Sequence, residues 1–300
     1  MRCPTWSLLA LLLGCTSKEP GTGPGGDDTA APTEPTEPLP EPAALAEVSG
    51  GDCPDLSSPG EFEINANGRD RSGLIYFPEE AEGPMPMIFA WHPLGASASL
   101  MKRYLDLEDL AEELGVIAVI PEADPSALFE WGFMGGADND LVLYDDLRSC
   151  IAEQHDADLS RVSSTGFSAG ALWTTLLAIE RGDTLSSVLV FSGGTDPVIT
   201  YSTPGGTFAA LLLHGGETDS YDAVVMVIDF QAATLAFAES LHADGHFLGI
   251  GNHDLGHTLP RDAAEIAAAW LPVHQYGAPS PFAEGGIEEV ADWLEAYKPE

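Results

Sequence analysis

The segment RVSSTGFSAGA, residues 161–171, sets Ser168 between Gly166 and Gly170, with a β-branched run before it and a long apolar stretch after it. A serine hydroxyl is a weak nucleophile until a neighbouring base takes its proton, and the base in turn needs a group to orient it. Suitable partners follow downstream in the order acid, then base. The stretch HGGETDSYDAV offers Glu217, Asp219 and Asp222; Asp219 is the expected acid and Asp222 the reserve. The stretch GIGNHDLGHTLP offers His253 and His257, and His257 is the expected base because it sits in a loop just ahead of a helix that begins near Arg261. A carboxylate there would fix the imidazole tautomer and stabilise the imidazolium once it forms. His214, beside the acidic loop, is expected to be structural. His155, His242, His246 and His274 lie in helical or surface contexts and need no role.

An attacked carbonyl becomes an oxyanion, which needs two backbone N–H donors. Ala169, directly after the serine at a helix N-terminus, supplies the first. The second is expected from WHPLGAS, residues 91–97. Pro93 has no N–H to give, so Leu94 is the expected donor, with Gly95 and Ala96 behind it. Trp131 and Phe133, in FEWGFMGG, are candidates to line the cleft; for Trp131 a place in the core is an equal or better reading.

A strand-to-helix turn must carry Ser168. Strands are expected at 62–65, 73–77, 86–91, 116–121, 161–166, 187–192, 208–214 and 246–250. The runs MPMIFAW and VIAVI are continuously apolar, as strands covered on both faces are. Helical periods mark SLMKRYLDLEDLAEELG, NDLVLYDDLRSCIAEQH, ALWTTLLAIERG and DFQAATLAFAESLHADG. In the tail, IEEVADWLEAY spaces Ile287, Val290, Trp293, Leu294 and Tyr297 along one helical face. Alternating strands and helices imply an α/β fold: a mainly parallel sheet of about eight strands with helices on both faces and an antiparallel edge made by the first two strands.

The beginning of the chain reads differently. MRCPTWSLLALLLGC has an arginine and then an apolar run too short to span a bilayer, which marks residues 1–14 as a signal peptide. Leu12-Leu13-Gly14-Cys15 resembles a bacterial lipobox, implying that Cys15 carries lipid and holds an exported protein on the cell envelope. Residues 15–49 are rich in Pro, Gly, Thr and Glu and are expected to be a disordered spacer, with the folded domain at 50–300. Of the four cysteines, Cys3 leaves with the signal and Cys15 with the lipid, so Cys53 and Cys150 are expected to pair. A net charge of −37 argues against a nucleic-acid partner.

Taken in order, the His-Pro-Leu-Gly loop, DADLSRVSSTGFSAG, HGGETDS and GHTLP resemble the α/β-hydrolase superfamily, and more narrowly the polyhydroxybutyrate depolymerase and feruloyl or acetylxylan esterase branch. The chain departs from that pattern at Pro93 and by one extra residue before Asp219. The resemblance implies a monomeric serine esterase without metal or organic cofactor, acting on a polyester, an acylated polysaccharide or a small ester. Only about 15 residues separate the sixth and seventh expected strands, too few for a cap domain, so an open site is expected. A serine peptidase, or a degenerate hydrolase fold serving as a tethered binding module, are the alternatives.

Overall fold

The computed structural model describes residues 38–127, 129–223 and 226–299. The strands are β1 (Gly60–Ala66), β2 (Arg69–Tyr76), β3 (Met85–Trp91), β4 (Ile117–Pro121), β5 (Ala157–Phe167), β6 (Ser187–Phe191), β7 (Ala209–His214), β8 (Ser220–Ala223), β9 (Met226–Asp229), β10 (Phe247–Asn252) and β11 (Glu295–Ala296). The helices that matter here are α1 (Ala98–Tyr104), α2 (Leu107–Leu114), α3 (Ala137–Gln154), α4 (Ala169–Arg181), α5 (Phe230–Ala243) and α6 (Ala263–Trp270). Nine strands form one sheet in the order β1-β2-β4-β3-β5-β6-β7-β10-β11. From β4 to β10 the neighbours run parallel, and β1 and β2 form the antiparallel edge.

The sheet separates two apolar layers, and single strands feed both. Met87, Phe89 and Trp91 of β3 join the layer under α3, α4 and α5, while Ile88 and Ala90 join the layer under α1, α2 and α6. Every residue of β3 and β4 is buried, as a strand covered on both faces requires. All eight expected strands are present, and β8, β9 and β11 are additional.

Three expectations need correction. The single helix expected after β3 is two helices, broken where Asp106 adopts φ 47°. Leu105 and Leu107 are both fully buried. Two residues apart on one continuous helix, they would point about 200° away from each other; the break lets both face the core. The tail is not a helix: it forms a short 3-10 turn at Ile287–Glu289 and then β11, which pairs antiparallel with β10 at Gly249 and Ile250. Gly249 and Gly251 make room for it, since a Cβ there would lie 2.5 Å from Ile287 and 2.4 Å from Trp293. Edge pairing and packing on a glycine strand override the helical period.

The compact unit begins at Leu39 rather than residue 50. Arg148 donates to the carbonyls of Ala43 and Ala44, Ser149 to that of Ala46, and Ser49 N–H to Asp146. Buried polar groups of α3 thus take their partners from residues that composition alone assigns to the spacer. The expected signal peptide, Cys15 and residues 16–37 lie outside the described residues. Among the described residues, no helix is long and apolar enough to cross a membrane.

Cys53 and Cys150 form a disulfide with Cα atoms 5.3 Å apart, closing a sequence separation of 97 residues. Cross-links over loops of that length stabilise by about 2–5 kcal/mol. The double variant Cys53→Ala/Cys150→Ala is expected to lose stability of that order in urea unfolding monitored by circular dichroism; an unchanged midpoint would contradict a load on this bridge.

Candidate active site

β5 ends at Phe167 and α4 begins at Ala169, so the whole reversal is made at Ser168, whose backbone sits at φ 56°, ψ −117°. A bend of that sharpness brings chain against chain. A Cβ on Gly166 would lie 2.2 Å from the Gly170 carbonyl oxygen, and one on Gly170 would lie 2.0 Å from that of Trp91. Both glycines are therefore sterically obligatory, and the hydroxyl is held at the carboxyl end of the parallel strands, where open α/β sheets bind ligands.

The two downstream loops meet Ser168. The Ser168 hydroxyl lies 2.8 Å from His257 Nε2, and His257 Nδ1 lies 2.7 Å from Asp219 Oδ1. A carboxylate only accepts, so Nδ1 carries the proton and Nε2 presents its lone pair to the serine. Asp219 Oδ2 accepts from the Ser192 hydroxyl at 2.8 Å and from the Gly215 N–H at 2.7 Å. The side chain of Asp219 is fully buried. Asp219 closes a turn in which its N–H donates to Gly216 C=O and Gly216 adopts φ 79°. The acid and base loops are joined directly, Gly256 N–H donating to Gly215 C=O at 2.9 Å. His257 is flanked by rings: Phe230 stacks at 4.6 Å and 10°, and Phe167 lies at 5.1 Å.

The reserve candidates stand elsewhere. Asp222 is exposed on the outer face of the β8–β9 hairpin, paired with Val227. His253 Nδ1 accepts from Leu255 N–H and His214 Nδ1 from Gly216 N–H, and burial pushes both imidazoles below their ordinary pKa.

Of the three expected donors after β3, Gly95 N–H donates to Glu130 at 3.0 Å and Ala96 N–H to Pro93 C=O at 3.1 Å. Among the described residues no acceptor takes the N–H of Leu94 or of Ala169. Both residues border, with Ser168, a small apolar recess. Its walls are Phe129, Phe133, Leu172, Tyr221, Met226, Ile228 and Phe230. Phe133 thus lines the cleft as expected. Trp131 does not: it is fully buried and donates its indole N–H to His92 C=O at 2.8 Å.

No cap domain lies between β6 and β7; two short segments supply the apolar side chains beside Ser168. The β8–β9 hairpin directs Tyr221, Met226 and Ile228 inward, and the segment between β4 and α3 brings Phe129 to meet Tyr221 edge-on at 6.4 Å. This hairpin, whose strands are four residues each, and the residues Ser192, Phe230 and Glu130 lie outside the expected features. Only the alternation Tyr221-Asp222 and Met226-Val227-Ile228-Asp229 signalled the hairpin.

No family model matches the chain. Feruloyl esterase D of Neurospora crassa is 29% identical over 189 residues, 56% of this chain and 63% of that protein. Feruloyl esterase B of Thermothelomyces thermophilus is 29% identical over 137 residues, 44% of this chain and 47% of that protein. The alignments thus span from about half to three fifths of these relatives. Among solved structures, native pOPH superposes with a TM-score of 0.63 at 16% identity, covering 83% of this chain and 95% of that one. A ferulic acid esterase superposes with a TM-score of 0.55 at 15% identity, covering 72% and 96%. The architecture is the α/β-hydrolase fold, and the sequence is similar to feruloyl esterases.

The geometry separates the two candidate acids. Asp219→Asn is expected to slow labelling of Ser168 by a fluorophosphonate by at least about 100-fold, because the amide no longer holds the productive tautomer. Asp222→Asn is expected to label at the wild-type rate; equal loss in the two variants would remove Asp219 from this role.

Proposed function

We propose that the chain is a serine carboxylic-ester hydrolase working through an acyl-enzyme. The observation that carries this reading is the unbroken relay from the Ser168 hydroxyl through His257 to Asp219, at 2.8 and 2.7 Å. Ser168 attacks the ester carbonyl while His257 Nε2 takes its proton. The N–H groups of Ala169 and Leu94 receive the oxyanion, aided by the N-terminal end of the α4 dipole. His257 then protonates the departing alcohol. A water enters by the same route and attacks the acyl carbonyl while His257 takes its proton; His257 then returns that proton to the Ser168 oxygen as the bond to the acid breaks. Asp219 remains ionised throughout and stabilises the imidazolium by charge and hydrogen bond.

The recess argues for what the acyl group is. Its free volume of about 20 Å³ is far below the ~300–1,000 Å³ of sites that engulf a whole ligand. It offers the acyl group an apolar wall rather than an enclosing cavity. Its walls are aromatic and aliphatic, suited to a flat, apolar acid. Together with the similarity to feruloyl esterases, this favours hydroxycinnamoyl and short aliphatic esters of a bulky alcohol, such as an acylated polysaccharide, over a long aliphatic chain.

The disulfide fits an oxidising compartment, and the lipobox-like ending at Cys15 fits an exported enzyme tethered by lipid to the cell envelope, with residues 16–38 as spacer. Mass spectrometry of the mature N-terminus tests this part: a diacylated Cys15 is expected, and an unmodified Cys15 would remove the anchor.

Activity is tested with methyl ferulate and p-nitrophenyl butyrate against p-nitrophenyl palmitate and peptide anilides. Turnover of the first two is expected, with little of the palmitate and none of the anilides. Ser168→Ala and His257→Ala are expected to lower kcat by at least about 10³-fold. Ester turnover that survives Ser168→Ala would overturn the mechanism.

A further inference from the structure

The Leu94 donor is not fixed by the serine side of the site. It belongs to the turn Pro93–Ala96, in which the Pro93 C=O and the N–H groups of Gly95 and Ala96 are tied from behind. The peptide group joining Pro93 to Leu94 is planar and trans, so its C=O and N–H point in opposite directions. The Pro93 C=O accepts from Ala96 N–H at 3.1 Å and from His92 Nδ1–H at 3.0 Å. His92 keeps its proton on Nδ1 because its Nε2 accepts the N–H of Ala123 at 3.1 Å. Holding the carbonyl one way aims the Leu94 N–H the other way.

The next peptide group, Leu94–Gly95, has only one tie. Gly95 sits at φ 73° and its N–H donates to Glu130 Oε2 at 3.0 Å. A central peptide in such a turn rotates between the two common turn forms unless something holds it. Glu130 does so from an unusual backbone position. Phe129 and Glu130 are consecutive non-glycine residues at φ 64° and 70°. Backbone in this region persists where the surroundings over-determine it, and such positions gather at functional sites. The over-determination is visible. Glu130 N–H donates to Ala127 C=O, Trp131 N–H donates to Phe129 C=O and the Trp131 indole to His92 C=O. Gly132 N–H donates to Asp140, which forms a buried ion pair with Arg71 at 2.7 Å.

We infer that Glu130 is a positioning residue for oxyanion binding: by accepting the Gly95 N–H it locks the Pro93–Ala96 turn so that the Leu94 N–H is the one donor of that turn that faces the substrate carbonyl. The inference rests on the proposed ester hydrolysis. It also explains how a chain with proline in the second place of the His-Pro-Leu-Gly loop keeps a donor there. The same segment places Phe129 in the acyl recess, so one strained stretch serves oxyanion binding and acyl fit together. The role needs an acceptor and not a negative charge, which beside a developing oxyanion is unfavourable. Glutamine can therefore replace glutamate, and alanine cannot.

The test is steady-state hydrolysis of p-nitrophenyl butyrate by the wild type, Glu130→Ala and Glu130→Gln, with inhibition by butylboronic acid as a tetrahedral mimic and thermal melting as the check on folding. Glu130→Ala is expected to lose about tenfold in kcat, part of the ~10²–10³ that removal of a whole oxyanion donor costs. Its KM should stay within about twofold of wild type, the signature of an interaction made only in the transition state, and its boronate affinity should weaken by the same factor as kcat falls. Glu130→Gln is expected to recover at least half of the wild-type kcat and boronate affinity. An alanine variant with wild-type kcat and boronate affinity overturns the inference, and so does a glutamine variant that is folded yet as impaired as alanine. A wild type that neither hydrolyses the ester nor reacts with a fluorophosphonate overturns the ester-hydrolase reading and this inference with it; a fully active wild type with an unaffected alanine variant overturns this inference alone.

Discussion

A buried carboxylate must be satisfied on both oxygens, and Asp219 is the point from which the rest of the site is built. With its side chain out of solvent, an unpaired charge would cost several kcal/mol. Three donors meet it: His257 Nδ1–H, Ser192 O–H and Gly215 N–H. Each comes from the loop following a different parallel strand, β10, β6 and β7. The carboxylate thus gathers three crossover loops at the carboxyl edge of the sheet, and the imidazole it orients is carried to Ser168 as a consequence. Phe230 adds to this from the start of α5, donating its N–H to Asp219 C=O and laying its ring on His257.

The three residues of the hydrogen-bonded relay were legible in the sequence because each carries a local mark. Ser168 sits in a glycine-framed reversal between a strand and a helix, and Asp219 and His257 lie in glycine-bearing loops after strands. The groups that hold them carry no such mark. Ser192 is a serine at the end of a strand, and only the sheet order, with β6 beside β7, reveals that it faces Asp219. Glu130 is one acid among 48 acidic residues, and its contact with Gly95 spans 35 positions.

The same distinction runs through the fold. The parallel strands and the longer helices announce themselves by apolar runs and period. The tail does not, because its helical spacing loses to the free edge of β10, where Gly249 and Gly251 accept Ile287 and Trp293 over the strand. The start of the folded unit is hidden for a related reason: residues 39–49 have the composition of a spacer, yet Asp146, Arg148 and Ser149 of α3 need the hydrogen bonds that this stretch supplies. In each case a tertiary partner decides what a local reading assigns otherwise.

The chain has the α/β-hydrolase fold in common with its structural relatives, and apolar side chains from two short segments stand over its serine. A short hairpin and a strained segment before α3 line the recess where the acyl group of the proposed reaction would sit. The central claim is that Ser168 carries that group between two half-reactions. Rapid mixing with p-nitrophenyl butyrate, followed by acid quench and peptide mass spectrometry, measures it most directly. The account predicts a burst of p-nitrophenol equal in amount to the enzyme and a butyryl adduct on the peptide that contains Ser168; steady hydrolysis with no burst and an adduct on any other residue would contradict it.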